Sequence, residues 1–331
     1  MMFKSLLLVV VVCSVVAVWS APKEVRWHDL NNVNQIFEEF ERTYQKQYQN
    51  EDERQARLEI FKENLKMINQ RNAESKTATF GINRFTDMTI EEALQRFTCL
   101  RGIADDNTCP SAIETFRDVV PDSFDWRDKK KVTRVKDQGN CGSCWAFSAV
   151  GNLEGQYAIK HNKLRELSEQ QIVDCDENDY GCGGGWMASA FVWLQKHGGL
   201  EAEEDYPYVA PKEQSCKFDK SKAVATVSGC KMFNGKDENA LKQVLVSNGP
   251  LSIAIDATGI MGYFGGIVED CPAGGLNHGV LLVGYGIENT TEYWIIKNSW
   301  SADWGEQGYF RVKMHENSCN MTAYITSSVV N

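Results

Sequence analysis

Hydrophobic positions recur at helical spacing early in this chain and gather into short aliphatic runs late in it. Phe37, Phe40 and Tyr44 fall at i, i+3 and i+7, one face of a helix. A second helical stretch runs from Asn50 to Asn72, and neither Gly nor Pro interrupts either one. Gly81 to Asp87 is predicted to be extended. Residues 98–120 hold Gly102, Asp105-Asp106-Asn107 and Pro110, and read as an exposed linker. From Val120 the texture changes: glycine becomes frequent and tryptophan appears at 126, 145, 186, 193, 294, 300 and 304. Trp145 to Lys160 reads as a buried helix. Ser168-Glu169-Gln170-Gln171 opens a short one, with Ser168 as its cap. Ala188 to Lys196 is a third, ended by His197-Gly198-Gly199. Beyond Pro207 strands are expected at Ala223–Val227, Leu251–Ile255, Gly279–Tyr285, Tyr293–Lys297 and Tyr309–Lys313. The second half is thus helix-rich first and strand-rich second, without internal repeats.

The N-terminus adds a different signal. Lys4 precedes an apolar run from Leu6 to Val18, too short for a comfortable membrane span and suited to a secretory leader. Val18 and Ser20 fit the −3 and −1 positions of a cut after Ser20. No other apolar run approaches spanning length, so no membrane association is expected. At 331 residues the chain has room for about two units. Its net charge of −10, with no basic patch, argues against nucleic acid as a partner. Eleven cysteines in a secretory chain suggest disulfides. Cys13 leaves with the leader. If Cys144 is reactive, an odd set remains: 99, 109, 141, 175, 182, 216, 230, 271 and 319.

Candidate chemistry centres on Gln138-Gly139-Asn140-Cys141-Gly142-Ser143-Cys144-Trp145. A thiolate, not a thiol, is the nucleophile. A helix N-terminus and a nearby imidazolium both favour it. The helix from Trp145 supplies the first. His278, which directly precedes the apolar strand Gly279–Gly284, can supply the second while its backbone is held rigidly. The other histidines, 28, 161, 197 and 315, lie in polar surroundings and read as exposed. Asn298 ends the strand Tyr293–Lys297, where its side-chain carbonyl can orient the imidazole. Gln138 can donate its amide to a developing oxyanion, together with the Cys144 backbone N–H. Each residue alone has a bland explanation; a rival reading pairs Cys141 with Cys144 as a redox Cys-x-x-Cys motif, which lacks a βαβ context here.

On these residues the chain resembles a papain-family cysteine protease precursor of the cathepsin L-like branch. Glu53, Arg57, Phe61, Asn64, Ile68 and Asn72 fit the family's interspersed ERFNIN pattern, and Gly81, Asn83, Phe85 and Asp87 its GNFD pattern. Val120-Pro121-Asp122-Ser123-Phe124-Asp125-Trp126-Arg127 is similar to the start of a mature enzyme. The resemblance implies an α+β fold, with a helical left domain and a β-barrel-like right domain around a cleft. It divides the chain into a signal peptide (1–20), an inhibitory helical propeptide (21–119) and a catalytic domain (120–331). It implies catalysis by Cys144, His278, Asn298 and Gln138. Gly184 and Gly185 would bind substrate backbone, and Trp186, Met187, Ala254 and Leu276 would line the pocket for P2, the residue one before the scissile one. Tyr324 at that pocket's floor implies a shallow site that favours Val or Leu over Phe.

It further implies disulfides Cys141–Cys182, Cys175–Cys216 and Cys271–Cys319. That leaves Cys99, Cys109 and Cys230: either the first two close a linker loop, or one of them bonds Cys230. Some mite members of the family would point to Cys109–Cys230, with cleavage then before Cys109. Three positions depart from the family pattern: Gly183 replaces an asparagine, Ser301 a glycine and Asn277 an acid. No insertion resembling an occluding loop is present, so endopeptidase action is expected. From Val120 onward 20 Lys and Arg face 27 Asp and Glu, which suits an acidic compartment. Asn289 and Asn320 begin glycosylation sequons. A monomeric enzyme of the secretory pathway, lysosomal or extracellular, is expected. Protein substrates, its own propeptide and cystatin-type inhibitors would be its partners, with no metal or cofactor. The alternative from another class is a catalytically silent binding or storage protein of the same fold.

Overall fold

The computed structural model describes residues 27–98, 100–101, 108–112, 120–210 and 215–331. The predicted leader, Cys13 and Cys99 lie outside them. The N-terminal region, the expected propeptide, begins with α1 (Val33–Thr43) and α2 (Glu51–Glu74). In α1, Phe37 and Phe40 are buried, and Phe61 of α2 closes on both rings at 5.1 and 4.9 Å. The Asn50 side chain caps α2 by accepting from the Glu53 N–H, with Glu51, Asp52 and Glu53 favouring the positive end of the helix dipole. Leu58, Phe61, Leu65, Ile68 and Asn72 form its buried stripe.

After α2 comes β1 (Thr79–Phe80), only two residues long. The predicted extended segment Gly81–Asp87 is not a strand. Asn83 turns the chain: its side chain accepts from the Phe85 N–H and its carbonyl from the Thr86 N–H. A third propeptide helix, α3 (Ile90–Phe97), starts at a capping box made by Thr89 and Glu92. The described parts of 98–120 are not simply an exposed linker. Cys109 is buried, and Ser111 bridges to Met232.

The part from Val120 onward opens with β2 (Phe124–Asp125), followed by α4 (Cys144–His161), α5 (Glu169–Cys175) and α6 (Met187–His197). Ser168 caps α5 by accepting from the Gln171 N–H, and Gly198 ends α6 at φ 104. Then come β3 (Val227–Met232), α7 (Glu238–Asn248), β4 (Leu251–Ile255), β5 (Tyr263–Gly265) and β6 (Ile267–Val268). The chain finishes with β7 (His278–Glu288), β8 (Thr291–Lys297), β9 (Tyr309–Lys313) and β10 (Ile325–Val330). The expected strand at 223–227 lies later, because β3 takes its register from β10, with Met232 opposite Thr326 and Val227 opposite Val330.

The strand order is β3-β10-β4-β7-β8-β9-β6, with β2 added on β7. This sheet carries one core, which includes Leu251, Trp294 and Phe310 and continues into propeptide residues Phe61 and Phe80. The helices α4 and α6 hold a second core around Trp145 and Phe191. The two are the expected helical and β-rich halves. No described helix is long and apolar enough to cross a membrane.

The propeptide is clamped by backbone pairing as well as by packing. β1 pairs with β5, Phe80 opposite Tyr263. Gly266, at φ 83, lets Thr77 approach so closely that a Cβ there would lie 2.2 Å from its carbonyl oxygen. Arg71 donates to the Gly259 carbonyl, Asn83 to the Met261 carbonyl, and Arg84 grips Asp137 with two parallel bonds of 2.7 and 2.8 Å.

Candidate active site

Cys144 is the first residue of α4 and fully buried beneath the propeptide. It is the one cysteine among the described residues outside a disulfide; the four bonds are Cys109–Cys230, Cys141–Cys182, Cys175–Cys216 and Cys271–Cys319. The bond from Cys141 to Cys182 leaves no Cys-x-x-Cys pair. The Gly279 N–H points at the Cys144 sulfur, 3.4 Å away. A side chain on Gly279 would sit 3.2 Å from both the Cys144 carbonyl oxygen and the Met187 sulfur, so glycine allows β7 to reach the head of α4.

His278 begins β7 and is held opposite Ile255 by the ladder with β4. Its Nε2–H donates to Asn298 Oδ1 at 2.8 Å, which leaves Nδ1 without a hydrogen-bond partner among the described residues. The ring lies nearly parallel to Trp300, centroids 4.6 Å apart. Burial pushes the imidazole down to about 4, against the pull of the Asn298 bond in the other direction. Asn298 is fixed in turn by accepting from the Ser299 N–H at 2.8 Å.

Gln138 is fully buried, its Oε1 accepting from the Ser299 hydroxyl at 2.7 Å. Its amide donates to the Cys141 carbonyl at 2.8 Å and to the carbonyl of Phe97, a propeptide residue, at 3.1 Å. The indole of Trp300 donates to the same Phe97 oxygen at 3.4 Å. Phe97 packs edge-on against Phe85, and Phe85 against Trp300. Three residues on, the Leu100 N–H donates to the Asn277 carbonyl at 3.1 Å. The propeptide therefore crosses the Cys144–His278 cleft with a carbonyl on the Gln138 amide.

The predicted pocket residues also converge. Met187, Ala254 and Tyr324 belong to the second core, and Trp186, Leu276 and the propeptide's Leu100 pack against it. Trp186 and Tyr324 lie ring to ring at 4.8 Å. Gly184 takes φ 113, and a Cβ on Gly185 would meet Asp179 at 2.6 Å, so both positions need glycine. Of the departures, Ser301 holds the left-handed φ of 70 that glycine takes without strain. Asn277 ties down its own loop by accepting from the Ala257 N–H. The two sequons differ. Asn289 is exposed at the tip of the β7–β8 hairpin, whereas the Asn320 amide donates to the Gly274 carbonyl. Sequence reasoning missed Phe97, Ser299 and the Arg84–Asp137 clamp. An arginine inside the GNFD pattern, three residues before Asp87, carries no signal of its partner.

Residues 120–329 match the papain family cysteine protease model, and residues 37–93 the cathepsin propeptide inhibitor domain (I29). The chain is 43% identical to the viral cathepsin of Heliothis zea nuclear polyhedrosis virus, over 99% of this chain and 96% of that protein. It is 45% identical to the viral cathepsin of Spodoptera exigua nuclear polyhedrosis virus (strain US), over 93% and 92%. The solved structure of digestive procathepsin L2 proteinase from Tenebrio molitor larval midgut superposes with a TM-score of 0.83 at 36% identity, covering 89% of this chain and 99% of that one. A buried thiol at a helix head, an oriented histidine and a propeptide lying across both agree with these matches: the chain belongs to the papain family of cysteine proteases and is a zymogen carrying its own I29-type inhibitor domain.

Proposed function

We propose that the mature enzyme is an acid-active endopeptidase in which Cys144 is the nucleophile and His278 its acid–base partner. The observation that carries this reading is the Gly279 N–H contact with the Cys144 sulfur, which sets the thiol beside a histidine whose Nδ1 is uncommitted. Once the propeptide leaves, the proton passes from Cys144 to His278, and Asn298 holds the ring for the transfer. The thiolate adds to the scissile carbonyl. Gln138 Nε2 and the Cys144 N–H stabilise the oxyanion, and imidazolium protonates the departing amine. Water, activated by the now neutral His278, then hydrolyses the thioester.

Latency follows from chain direction. A substrate would place its P2 side chain on the Trp186–Met187–Ala254–Leu276–Tyr324 wall, ahead of the carbonyl held by Gln138. In the propeptide, Leu100 on that wall comes after Phe97, so the segment runs backwards. Its carbonyl then sits at the oxyanion donors without presenting a bond to Cys144. Tyr324 against Trp186 narrows the wall, which supports Val or Leu over Phe at P2. We place the enzyme in the secretory pathway, in lysosomes or outside the cell, as a monomer open to cystatin-type inhibitors. We further assign 1–20 as leader and 21–119 as propeptide, the part from Cys109 staying on the enzyme through the Cys109–Cys230 bond, with a glycan on Asn289.

The test is acid treatment of the purified precursor, with peptide hydrolysis followed alongside labelling by an epoxide thiol inhibitor. Stoichiometric labelling at Cys144 with loss of activity is expected, and the Cys144→Ala precursor should not process itself. A silent binding protein would give no hydrolysis.

A further inference from the structure

Ser143 is the N-cap residue of α4, yet its hydroxyl makes no cap bond to the helix. Serine at this place ordinarily accepts from the N–H groups of the first turn. Here the Ser143 hydroxyl lies 2.7 Å from the hydroxyl of Tyr208, 65 residues on. The Tyr208 hydroxyl donates its single proton to the Gln138 carbonyl at 2.8 Å, so Ser143 is the donor to Tyr208. One phenol thus joins the two ends of the loop 138–143. At one end stands Gln138 and at the other the residue directly before Cys144, which are the two proposed sources of oxyanion hydrogen bonds.

The loop needs such a tie. It contains Gly139 at φ 59 and a second glycine at 142. The Gln138 amide on the Cys141 carbonyl spans part of it, and Ser299 holds Gln138 from the other domain. The Gly142 N–H on Cys182, with the disulfide beside it, links it to the left domain. Tyr208 itself is well anchored. Its ring stands edge-on to Phe147, one turn into α4, with centroids 4.8 Å apart. Its backbone N–H donates to Glu203, and that of Val209 to Gln170.

We propose that Tyr208 is a positioning residue for the hydrolysis, its hydroxyl setting the separation of Gln138 from Cys144 through Ser143. Oxyanion donors act only when held at hydrogen-bond distance from where charge develops, and small misplacements lower the rate steeply. The inference rests on the peptidase reading above.

The test compares wild type, Tyr208→Phe, Ser143→Ala and the double variant, each expressed as full-length precursor, acid-activated and counted by active-site titration. Tyr208→Phe is expected to lower kcat about tenfold, less than outright loss of a donor, with KM unchanged. Binding of a peptide aldehyde, whose tetrahedral adduct uses the oxyanion donors, should weaken by the same factor. Alkylation of Cys144 by iodoacetamide, which needs only the thiolate, should keep its rate. Ser143→Ala should act in the same direction, and the double variant no more severely than Tyr208→Phe alone. A kcat and aldehyde affinity within twofold of wild type in both single variants would overturn the assignment. So would alkylation falling in step with kcat, which marks general damage to the thiol. Wild type without peptidase activity would instead remove the underlying reading, and the inference with it.

Discussion

Acid should loosen the propeptide through His278 before it reaches the Arg84–Asp137 contact. With the propeptide in place the imidazole is held at about 4, chiefly by burial, against an ordinary value of 6.5. With Cys144 replaced by alanine, so that no thiolate forms, the covered and uncovered forms are both neutral there above pH 6.5, and the propeptide holds at full strength. As pH falls below 6.5 the uncovered histidine takes up a proton that the covered one refuses until about pH 4. Over that window the closed form therefore loses ground, by at most about 3 kcal/mol. This is a ceiling, because Trp300 and Asn298 stay on the ring after the propeptide leaves. The carboxylate contacts respond lower. The Asp137 carboxyl is raised by burial but lowered further by its two bonds to Arg84, so its net value lies below the usual range. That half-exposed pair adds only about 0.2–1 kcal/mol. The assay uses the Cys144→Ala precursor, which cannot process itself and leaves His278 to titrate without a thiolate. Propeptide opening would be followed by hydrogen exchange in α3 between pH 7 and 4, beside the Cys144→Ala/His278→Asn double variant. Protection should fall across pH 6.5–4 in the first and stay flatter in the second. Parallel pH curves for the two would refute the linkage to His278.

Three further outcomes are expected. Gln138→Ala should cut kcat by about 10²–10³ while leaving iodoacetamide access to Cys144, and a retained kcat would deny it the oxyanion role. Gly266→Ala puts a methyl group against the Thr77 carbonyl at a left-handed φ. It should weaken propeptide docking by about 1–3 kcal/mol and speed acid activation, read by the half-time of processing; an unchanged half-time would count against the β1–β5 clamp. Tyr324→Ala removes the ring that meets Trp186 and should shift P2 preference from Val and Leu toward Phe in a peptide library.

Elements whose apolar pattern was regular could be read from the sequence. β4 and β9 lie where periodicity put them, because each presents a regular apolar face, and α2 where a stretch free of Gly and Pro put it. α7 escaped notice because it buries Glu238 and Lys242, whose partners are Trp294 and Glu292 on a distant strand. β10 escaped because Ser327 and Ser328 look solvent-facing in sequence, yet both are buried and Asn152 accepts from the Ser328 hydroxyl. The site followed the same rule. Cys144, His278 and Asn298 were recognisable from their local settings, at a helix head, a strand mouth and a strand end. Tyr208 and Phe97 act through contacts that only the folded chain creates.

The Cys109–Cys230 bond bears on how activation must be completed. It ties a segment ahead of Val120 to β3 of the protease. A single cut at 119/120 would yield two chains still joined through sulfur. The inhibitor would then rebind as part of the same molecule, at an effective concentration in the millimolar range, which dilution cannot lower. Release therefore requires a cut on the N-terminal side of Cys109 or destruction of the propeptide itself. Cys109 would accordingly stay with the active enzyme as a short covalent appendage.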